Sequence, residues 1–159
     1  MLILGLDPGY ARAGWGFIRQ EKNILQPVAF GCLETTKQLS HPERLQKLQA
    51  ELKKIIIKHR PDALAIEELF FFKNLKTALQ VAESRGVILA TAFDCHLPVY
   101  EFTPLQIKQA ITSYGRADKN QIQQMVKLIL GMKEIIQPDD AADAAAIAIT
   151  CAHSLPLKH

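Results

Sequence analysis

The sequence predicts an α/β fold in which helices pack against a mixed β-sheet. Two patterns indicate this fold: three short apolar runs lie near the N-terminus, and further short runs then alternate with longer segments of helical periodicity. Apolar runs of about four to eight residues favour buried strands, whereas apolar residues three and four apart favour helices. Early strands followed by alternating helices and strands are typical of a sheet sandwiched by helices.

The first three predicted strands lie near the N-terminus. Residues 2–6 are apolar and end at the turn sequence Asp7-Pro8-Gly9, so we expect a short buried strand. Residues 14–18 then return antiparallel as the second strand. Residues 27–35 form a third strand, which we expect nearer an edge of the sheet.

A helix and a fourth strand come next. The helix is predicted over residues 41–59 from its apolar spacing, with Ser40 as the N-cap. Residues 62–66 form the fourth strand, and the helix is a crossover that places this strand parallel to the first. The carboxyl ends of the two strands then lie side by side, where open α/β sheets bind their ligands.

The following elements alternate between helix and strand. A helix is predicted over residues 74–93, and Gly86 inside it is interpreted as a close packing contact. Residues 97–102 form the fifth strand. Thr103 then caps a helix that begins at Pro104, because proline is favoured at the first helical position.

A basic loop and two helices complete the chain. The loop covers residues 113–117, and Asp118 caps a helix that ends at Gly131. The last helix is predicted over residues 139–153. No internal repeat or linker interrupts the sequence, so we expect one domain over residues 1–159, a length that suits a single core.

Composition bounds the class of protein. Hydrophobic residues make up 48% and charged residues 22% of the chain, an ordinary globular profile. The formal net charge of +3 permits a polyanionic partner without requiring one. The three cysteines lack metal-ligand spacing, which indicates free thiols in a reducing compartment. The sequence shows neither a signal peptide nor an apolar stretch of about 20 residues, so we expect a soluble cytoplasmic protein without a membrane partner.

Four carboxylates adjoin apolar sequence. Asp7 and Glu67 end the first and fourth predicted strands, and Asp140 and Asp143 interrupt the alanine-rich last helix. An acid is rarely buried without a partner, because the loss of its hydration is unfavourable. Several acids at one place need cations between them, and carboxylate oxygens suit Mg²⁺. Two such ions activate water and stabilise a leaving oxygen in phosphodiester cleavage, so the pattern indicates phosphate chemistry.

Each acid also has a structural interpretation when it is taken alone. Asp7 before proline and glycine is a common turn residue, and Glu67 beside Glu68 fits a solvated loop. Asp140 can cap the last helix or complement its dipole. Asp143 is harder to explain in this way because it lies inside an apolar helix flank, and the four acids together favour one shared site.

Ordered motifs across nearly the whole length resemble those of one known family. They are Leu4-Gly5-Leu6-Asp7-Pro8-Gly9, Ala65-Ile66-Glu67, Lys73-Asn74, Ser84-Arg85-Gly86-Val87, Ile107-Lys108-Gln109 and Asp140-Ala141-Ala142-Asp143-Ala144. The chain resembles the RuvC family of crossover-junction endodeoxyribonucleases, within the ribonuclease H-like superfamily. The resemblance implies a ribonuclease H-like three-layer α/β/α fold with a mixed five-stranded sheet. It also implies paired, symmetric, Mg²⁺-dependent hydrolysis of phosphodiester bonds that resolves Holliday junctions in DNA recombination and repair.

The resemblance assigns a role to the same four acids. Asp7, Glu67, Asp140 and Asp143 are implied to be catalytic and to bind Mg²⁺, with two ions per subunit and Mn²⁺ as a substitute. The implied partners are four-way junction DNA, a second copy of the chain in a homodimer, and the RuvA and RuvB branch-migration proteins. The apolar face of the helix over residues 74–93 is implied to be the dimer surface, although the sequence alone does not separate this role from packing on the sheet.

Aromatic and basic residues near these acids are candidate DNA contacts. Three phenylalanines, residues 70–72, follow the fourth strand, and each can either stack on a base or fill the core. The resemblance favours Phe70 as the stacking residue. The candidate contacts to phosphate are Lys73, Lys108, Arg116 and Lys119. Without the resemblance, solvated lysines at helix ends would explain this pattern better.

Two other functions share part of this pattern. Actin-like nucleotide phosphohydrolases also begin with a strand and an aspartate turn, but they need a second phosphate loop and a second domain that 159 residues do not accommodate. A catalytically inactive junction-binding scaffold would keep the lysines and aromatic residues without needing all four acids. The complete set of acids therefore favours the nuclease.

Overall fold

The computed structural model describes residues 1–69 and 75–155 and contains five strands and five helices in these ranges. The strands are β1 (Leu2–Asp7), β2 (Arg12–Glu21), β3 (Ile24–Glu34), β4 (Ala63–Glu67) and β5 (Val99–Phe102). The helices are α1 (His41–His59), α2 (Leu75–Asp94), α3 (Pro104–Thr112), α4 (Lys119–Ile129) and α5 (Asp139–Ser154). Within the described part of the chain, no helix is both long and apolar enough to cross a membrane.

The five strands form one mixed sheet in the order β3-β2-β1-β4-β5. β2 pairs antiparallel with both β1 and β3, whereas β1 pairs parallel with β4 and β4 pairs parallel with β5. The predicted mixed sheet, the parallel crossover through α1 and the edge position of the third strand are confirmed. The end of β1 therefore lies beside the end of β4.

β2 and β3 extend further than their apolar runs predicted. Arg19 and Glu21 in β2 are exposed, and the two strands continue through them to a tight turn. Lys22 in this turn adopts a φ of 55°. Side chains alternate between the two faces of a strand, so polar residues on an exposed face do not end it.

Helices cover both faces of the sheet, which confirms three layers. α1 and α2 pack on one face, where Leu4 and Phe17 of the sheet meet Leu52 of α1. α3, α4 and α5 pack on the other face around Ile3 and Ile147. The alternation of Ile3 and Leu4 between the two cores is the period-two pattern of a strand buried on both faces.

α5 approaches the sheet closely because small residues face each other across the contact. A side chain at Gly5 of β1 would clash with the carbonyl oxygen of Ala144, and one at Gly14 of β2 would clash with the carbonyl oxygen of Asp140. Neither position has room for a Cβ atom. The alanine-rich last helix therefore packs tightly on the sheet.

The predicted helix starts are confirmed by their capping contacts. The backbone N–H of Ser40 donates to the Glu43 carboxylate at 2.7 Å. Thr103 Oγ1 accepts the Gln106 N–H at 3.1 Å, and Asp118 accepts the N–H three residues later at 2.9 Å. Such reciprocal contacts satisfy N–H groups that have no partner inside the helix.

The close packing contact expected at Gly86 is not made by the described residues of this chain. A Cβ atom built at this position meets no atom within 4 Å, because Gly86 lies on the exposed side of α2. Helix propensity alone does not reveal which face of a helix a glycine occupies.

Candidate active site

Three acids surround a cavity at the carboxyl ends of β1 and β4. Asp7 is the last residue of β1, Glu67 is the last residue of β4, and Asp143 is in the second turn of α5. The cavity has a volume of about 240 Å³. Its lining residues are Asp7, Glu67, Pro104, Ile107, Lys108, Lys119, Ile122, Asp143, Ala146 and Ile147. The fold thus brings acids that are distant in sequence to one cavity, which is otherwise lined mainly by apolar residues.

The cavity holds excess negative charge. Burial, followed by the charges of Asp143, Glu67 and Asp140, raises the pKa of Asp7 from 3.8 to about 7. Burial and the charge of Asp143 also raise the pKa of Glu67, against the opposing charge of Lys108. Burial and neighbouring carboxylates favour the neutral acid, so these shifts indicate a site that lacks enough cations of its own.

Lys119 supplies part of the missing positive charge. Its Nζ atom lies 3.1 Å from Asp143 Oδ2 and 3.3 Å from Asp139 Oδ2. Burial alone would lower the pKa of Lys119, but its contacts with these two acids outweigh burial and raise it. Burial raises the pKa of Asp143 in spite of the lysine. One ammonium group therefore does not neutralise the acids.

Asp140 has different neighbours from Asp143. Its Oδ2 atom lies 3.6 Å from Arg12 Nε, and the Cys32 thiol contacts the same oxygen at 4.0 Å. Its backbone rests on Gly14, which is paired with Asp7 across β1 and β2. Asp140 is thus adjacent to Asp7 but lies on the β2–β3 side of the site.

The candidate DNA contacts are only partly described. Lys108 on α3 and Lys119 on α4 both line the acidic cavity, and Arg116 is exposed in the loop between these helices. Phe70 and Lys73 lie outside the described residues. Two of the candidate lysines thus line the same cavity as the acids.

Sequence reasoning did not find Arg12. This residue begins β2 directly after the turn that follows Asp7, and its side chain reaches Asp140 from that position. The available signal was a cation five residues after a candidate acid. Arginine side chains are usually exposed whatever their role, so an arginine at this spacing is weak evidence of a functional residue.

The donor set fits a hard divalent cation. All four candidate ligands are carboxylates, which are the oxygen donors that such cations prefer. Burial and the neighbouring acids raise the pKa of Asp7. Among residues 1–69 and 75–155, no three acidic, histidine or cysteine side chains are gathered at metal-binding distance. Three of the acids instead line one cavity.

All three cysteines have free thiols, as expected. Burial raises the pKa of the Cys151 thiol to about 12, and burial, reinforced by Asp140, raises the pKa of the Cys32 thiol. Both thiols are therefore poor nucleophiles, because the thiolate is the reactive form. The chemistry of the site rests on its oxygens and lysines.

Comparison with known proteins places this geometry in a family. Residues 3–151 match the family model of crossover junction endodeoxyribonuclease RuvC. Crossover junction endodeoxyribonuclease RuvC from Desulfitobacterium hafniense is 54% identical over 157 residues, which are 99% of this chain and 95% of that protein. The protein of the same name from Heliobacterium modesticaldum is 50% identical over 155 residues, which are 98% of this chain and 96% of that protein.

Solved structures agree with the sequence comparisons. Thermus thermophilus RuvC superimposes with a TM-score of 0.89 at 35% identity, over 96% of this chain and 93% of that chain. The same protein in complex with Holliday junction substrate gives a TM-score of 0.90 over the same shares. These matches confirm the ribonuclease H-like fold. The chain therefore belongs to the RuvC family of crossover junction endodeoxyribonucleases.

Proposed function

We propose that this chain resolves Holliday junctions by metal-dependent hydrolysis of DNA phosphodiester bonds at the cavity formed by Asp7, Glu67 and Asp143. The observation that carries the proposal is the convergence of three acids on one cavity, where burial and the neighbouring acids also raise the pKa of Asp7. The Thermus thermophilus relative has been seen with a Holliday junction substrate. Its close structural match supports the same substrate for this chain.

Asp7, Glu67, Asp140 and Asp143 are the proposed ligands of two Mg²⁺ ions, which Mn²⁺ can replace. When bound, such ions lower the pKa of a coordinated water and stabilise negative charge on the leaving oxygen. The four carboxylates would hold these ions, with Asp7 at the end of β1, Glu67 at the end of β4, and Asp140 and Asp143 on α5. Ile107, Ile122 and Ile147 line the cavity beside these acids.

The lysines are proposed to bind the DNA backbone beside the acids. Lys119 contacts Asp143 and Asp139 through single ion pairs, and Lys108 lines the same cavity. A phosphate entering the cavity brings its own negative charge to these two ammonium groups. We propose that Phe70, Lys73 and Arg116 extend this DNA contact.

Lys108→Ala is expected to weaken junction binding and to flatten its dependence on salt. Each lost phosphate contact removes about one counterion-release unit from the slope of log affinity against log salt. Titration of a labelled junction at several salt concentrations measures this slope. Lys47→Ala removes the same charge from exposed α1 and should leave the slope unchanged. Equal slopes in the wild type and the Lys108 variant would contradict the proposed contact.

The exposed face of α2 is proposed to be the homodimer contact. Leu79, Ala82, Gly86, Ala90 and Phe93 lie three or four residues apart and so share one face of the helix. The side chain of Phe93 is 81% exposed and that of Leu79 is 69% exposed. Small residues between two large apolar ones suit close packing of a second helix. The open space around Gly86 is then filled by the second copy.

Phe93→Glu is expected to weaken the dimer by at least about 30-fold, because truncating a central interface aromatic costs about 2 kcal/mol or more. Sedimentation velocity across a concentration series measures this change. Leu128→Glu on α4 is the matched control, since Leu128 is also a large apolar residue with an exposed side chain, at 68% exposure. Circular dichroism would establish that both variants are folded. The same dimer affinity in all three proteins would exclude this face.

A cleavage assay on a mobile four-way junction tests the central proposal. We expect paired, symmetric nicks with Mg²⁺ or Mn²⁺ and no nicks with a chelator. Tight junction binding without cleavage across both metals and several junction sequences would favour an inactive scaffold. Turnover of ATP would instead support the actin-like alternative.

Two further expectations follow from family membership. We propose that this chain acts alongside the RuvA and RuvB branch-migration proteins, since a resolving enzyme needs a junction held at a cleavable position. We also propose a cytoplasmic location, where its DNA substrate lies. Co-sedimentation with a RuvA-bound junction would test the first expectation, and cell fractionation the second.

A further inference from the structure

Arg12 is a cation at the rim of the site that the proposed mechanism leaves without a role. Its guanidinium lies 2.9 Å from Glu34 Oε1 and 3.6 Å from Asp140 Oδ2. Arg12 and Glu34 are directly paired across β2 and β3, so the strand register keeps them together. Glu34 thereby limits the positions that the guanidinium can occupy.

The contacts of Asp140 with described residues are one-sided. Both the Arg12 ion pair and the Cys32 thiol contact involve the Oδ2 atom. The backbone of Asp140 is fixed separately, because it rests on Gly14, where no Cβ atom would fit. The freedom that remains to the carboxylate is rotation about its side-chain bonds, and Arg12 opposes that rotation.

Carboxylates that bind metals are commonly held by a second group through hydrogen bonds or ion pairs. The planar guanidinium group suits this task, since its fork can contact two carboxylates in fixed directions. A lysine at the same place would offer a point charge on a flexible stem. The arrangement of Glu34, Arg12 and Asp140 therefore has the form of a metal-ligand support.

We infer that Arg12 is a positioning residue, which holds Asp140 through Oδ2 so that the rest of the carboxylate is available to the divalent metal. The inference rests on the proposed function and adds a residue outside the set of four acids. Arg12 touches neither the metal nor the reacting phosphate. Its effect reaches the reaction through the orientation of one ligand.

The test measures metal binding without DNA. Arg12→Ala is expected to raise the apparent Kd for Mn²⁺ about tenfold, read from the free-Mn²⁺ electron paramagnetic resonance signal. The metal concentration for half-maximal junction cleavage should rise by the same factor, whereas cleavage at saturating metal should largely recover. Arg12→Lys should fall between the wild type and Arg12→Ala. Arg19→Ala is the matched control, because it removes the same charge from the far end of β2.

Three results would overturn the inference: unchanged Mn²⁺ affinity, tighter Mn²⁺ binding, or a higher KM for junction with unchanged metal affinity. The last would make Arg12 a phosphate contact. Should Arg12→Ala fail to fold, Glu34→Gln frees the arginine and should weaken Mn²⁺ binding in the same direction. Asp140→Asn separates the two hypotheses: if it cleaves like the wild type, the proposed ligand set fails. If it is inactive while Arg12→Ala binds Mn²⁺ normally, only the role of Arg12 fails.

Discussion

Asp7→Asn is expected to reduce junction cleavage by at least about 10³-fold while leaving the fold intact. A bound metal contributes several kcal/mol of charge stabilisation in the transition state, and about 1.4 kcal/mol corresponds to tenfold in rate. The charges of Asp143, Glu67 and Asp140 all act on Asp7, so its loss should disturb both proposed ions. Single-turnover cleavage with saturating enzyme measures the chemical step apart from binding.

A matched pair of glutamates controls this experiment. Glu67→Gln should reduce cleavage to a similar extent, because Glu67 lines the cavity. Glu68→Gln changes the next residue, which does not line the cavity, and should retain cleavage. Junction binding should survive in all of these variants, since the lysines remain. Normal cleavage by Asp7→Asn would remove this acid from the catalytic set.

The metal-free protein is expected to lose stability as the pH rises from about 4 to about 7. Asp7 has a pKa of 3.8 when it is unfolded and about 7 when it is buried beside the other acids. Between these values the folded protein keeps the proton and the unfolded chain releases it, so a higher pH favours unfolding. The difference corresponds to a loss on the order of 4 kcal/mol from Asp7.

Urea denaturation at pH 5 and pH 8, in chelator and in Mg²⁺, measures this effect. Mg²⁺ should restore stability at pH 8, by about 2.7 kcal/mol at 100 times its Kd. Asp7→Asn should be more stable than the wild type in chelator at pH 8 and should show a smaller pH slope. Some dependence of stability on pH should remain in this variant, because the pKa values of Glu67 and Asp143 are also raised. An unchanged slope in the variant would refute the burial of charge at Asp7.

Elements whose sequence pattern has a single physical cause could be predicted. The apolar run before Asp7 predicted β1 within one residue, and the helical spacing of residues 41–59 predicted α1 with its bounds. Both patterns follow from burial on a regular backbone. The lengths of β2 and β3 were underestimated, because polar residues on an exposed face hide the continuation of a strand.

The sequence was sufficient to predict which acids form the candidate site, but not which residues each acid contacts. The acids could be found because each adjoins apolar sequence, and three of them line one cavity. The separate environment of Asp140 could not be found, since it depends on Arg12 reaching across from β2. The exposed position of Gly86 depends likewise on the rotation of α2 about its axis, which the sequence does not specify strongly.

The contact of α5 with Gly5 and Gly14 has a consequence for how this enzyme can change over time. At this contact the backbone of α5 lies directly against the two glycines. No flexible side chain there can move to accommodate a change in the distance between α5 and the sheet. The outer helices can exchange apolar residues of similar volume with little loss. One added methyl group at either glycine would instead displace two proposed metal ligands at once. Natural variation is therefore expected to accumulate at the periphery, while this seam stays fixed.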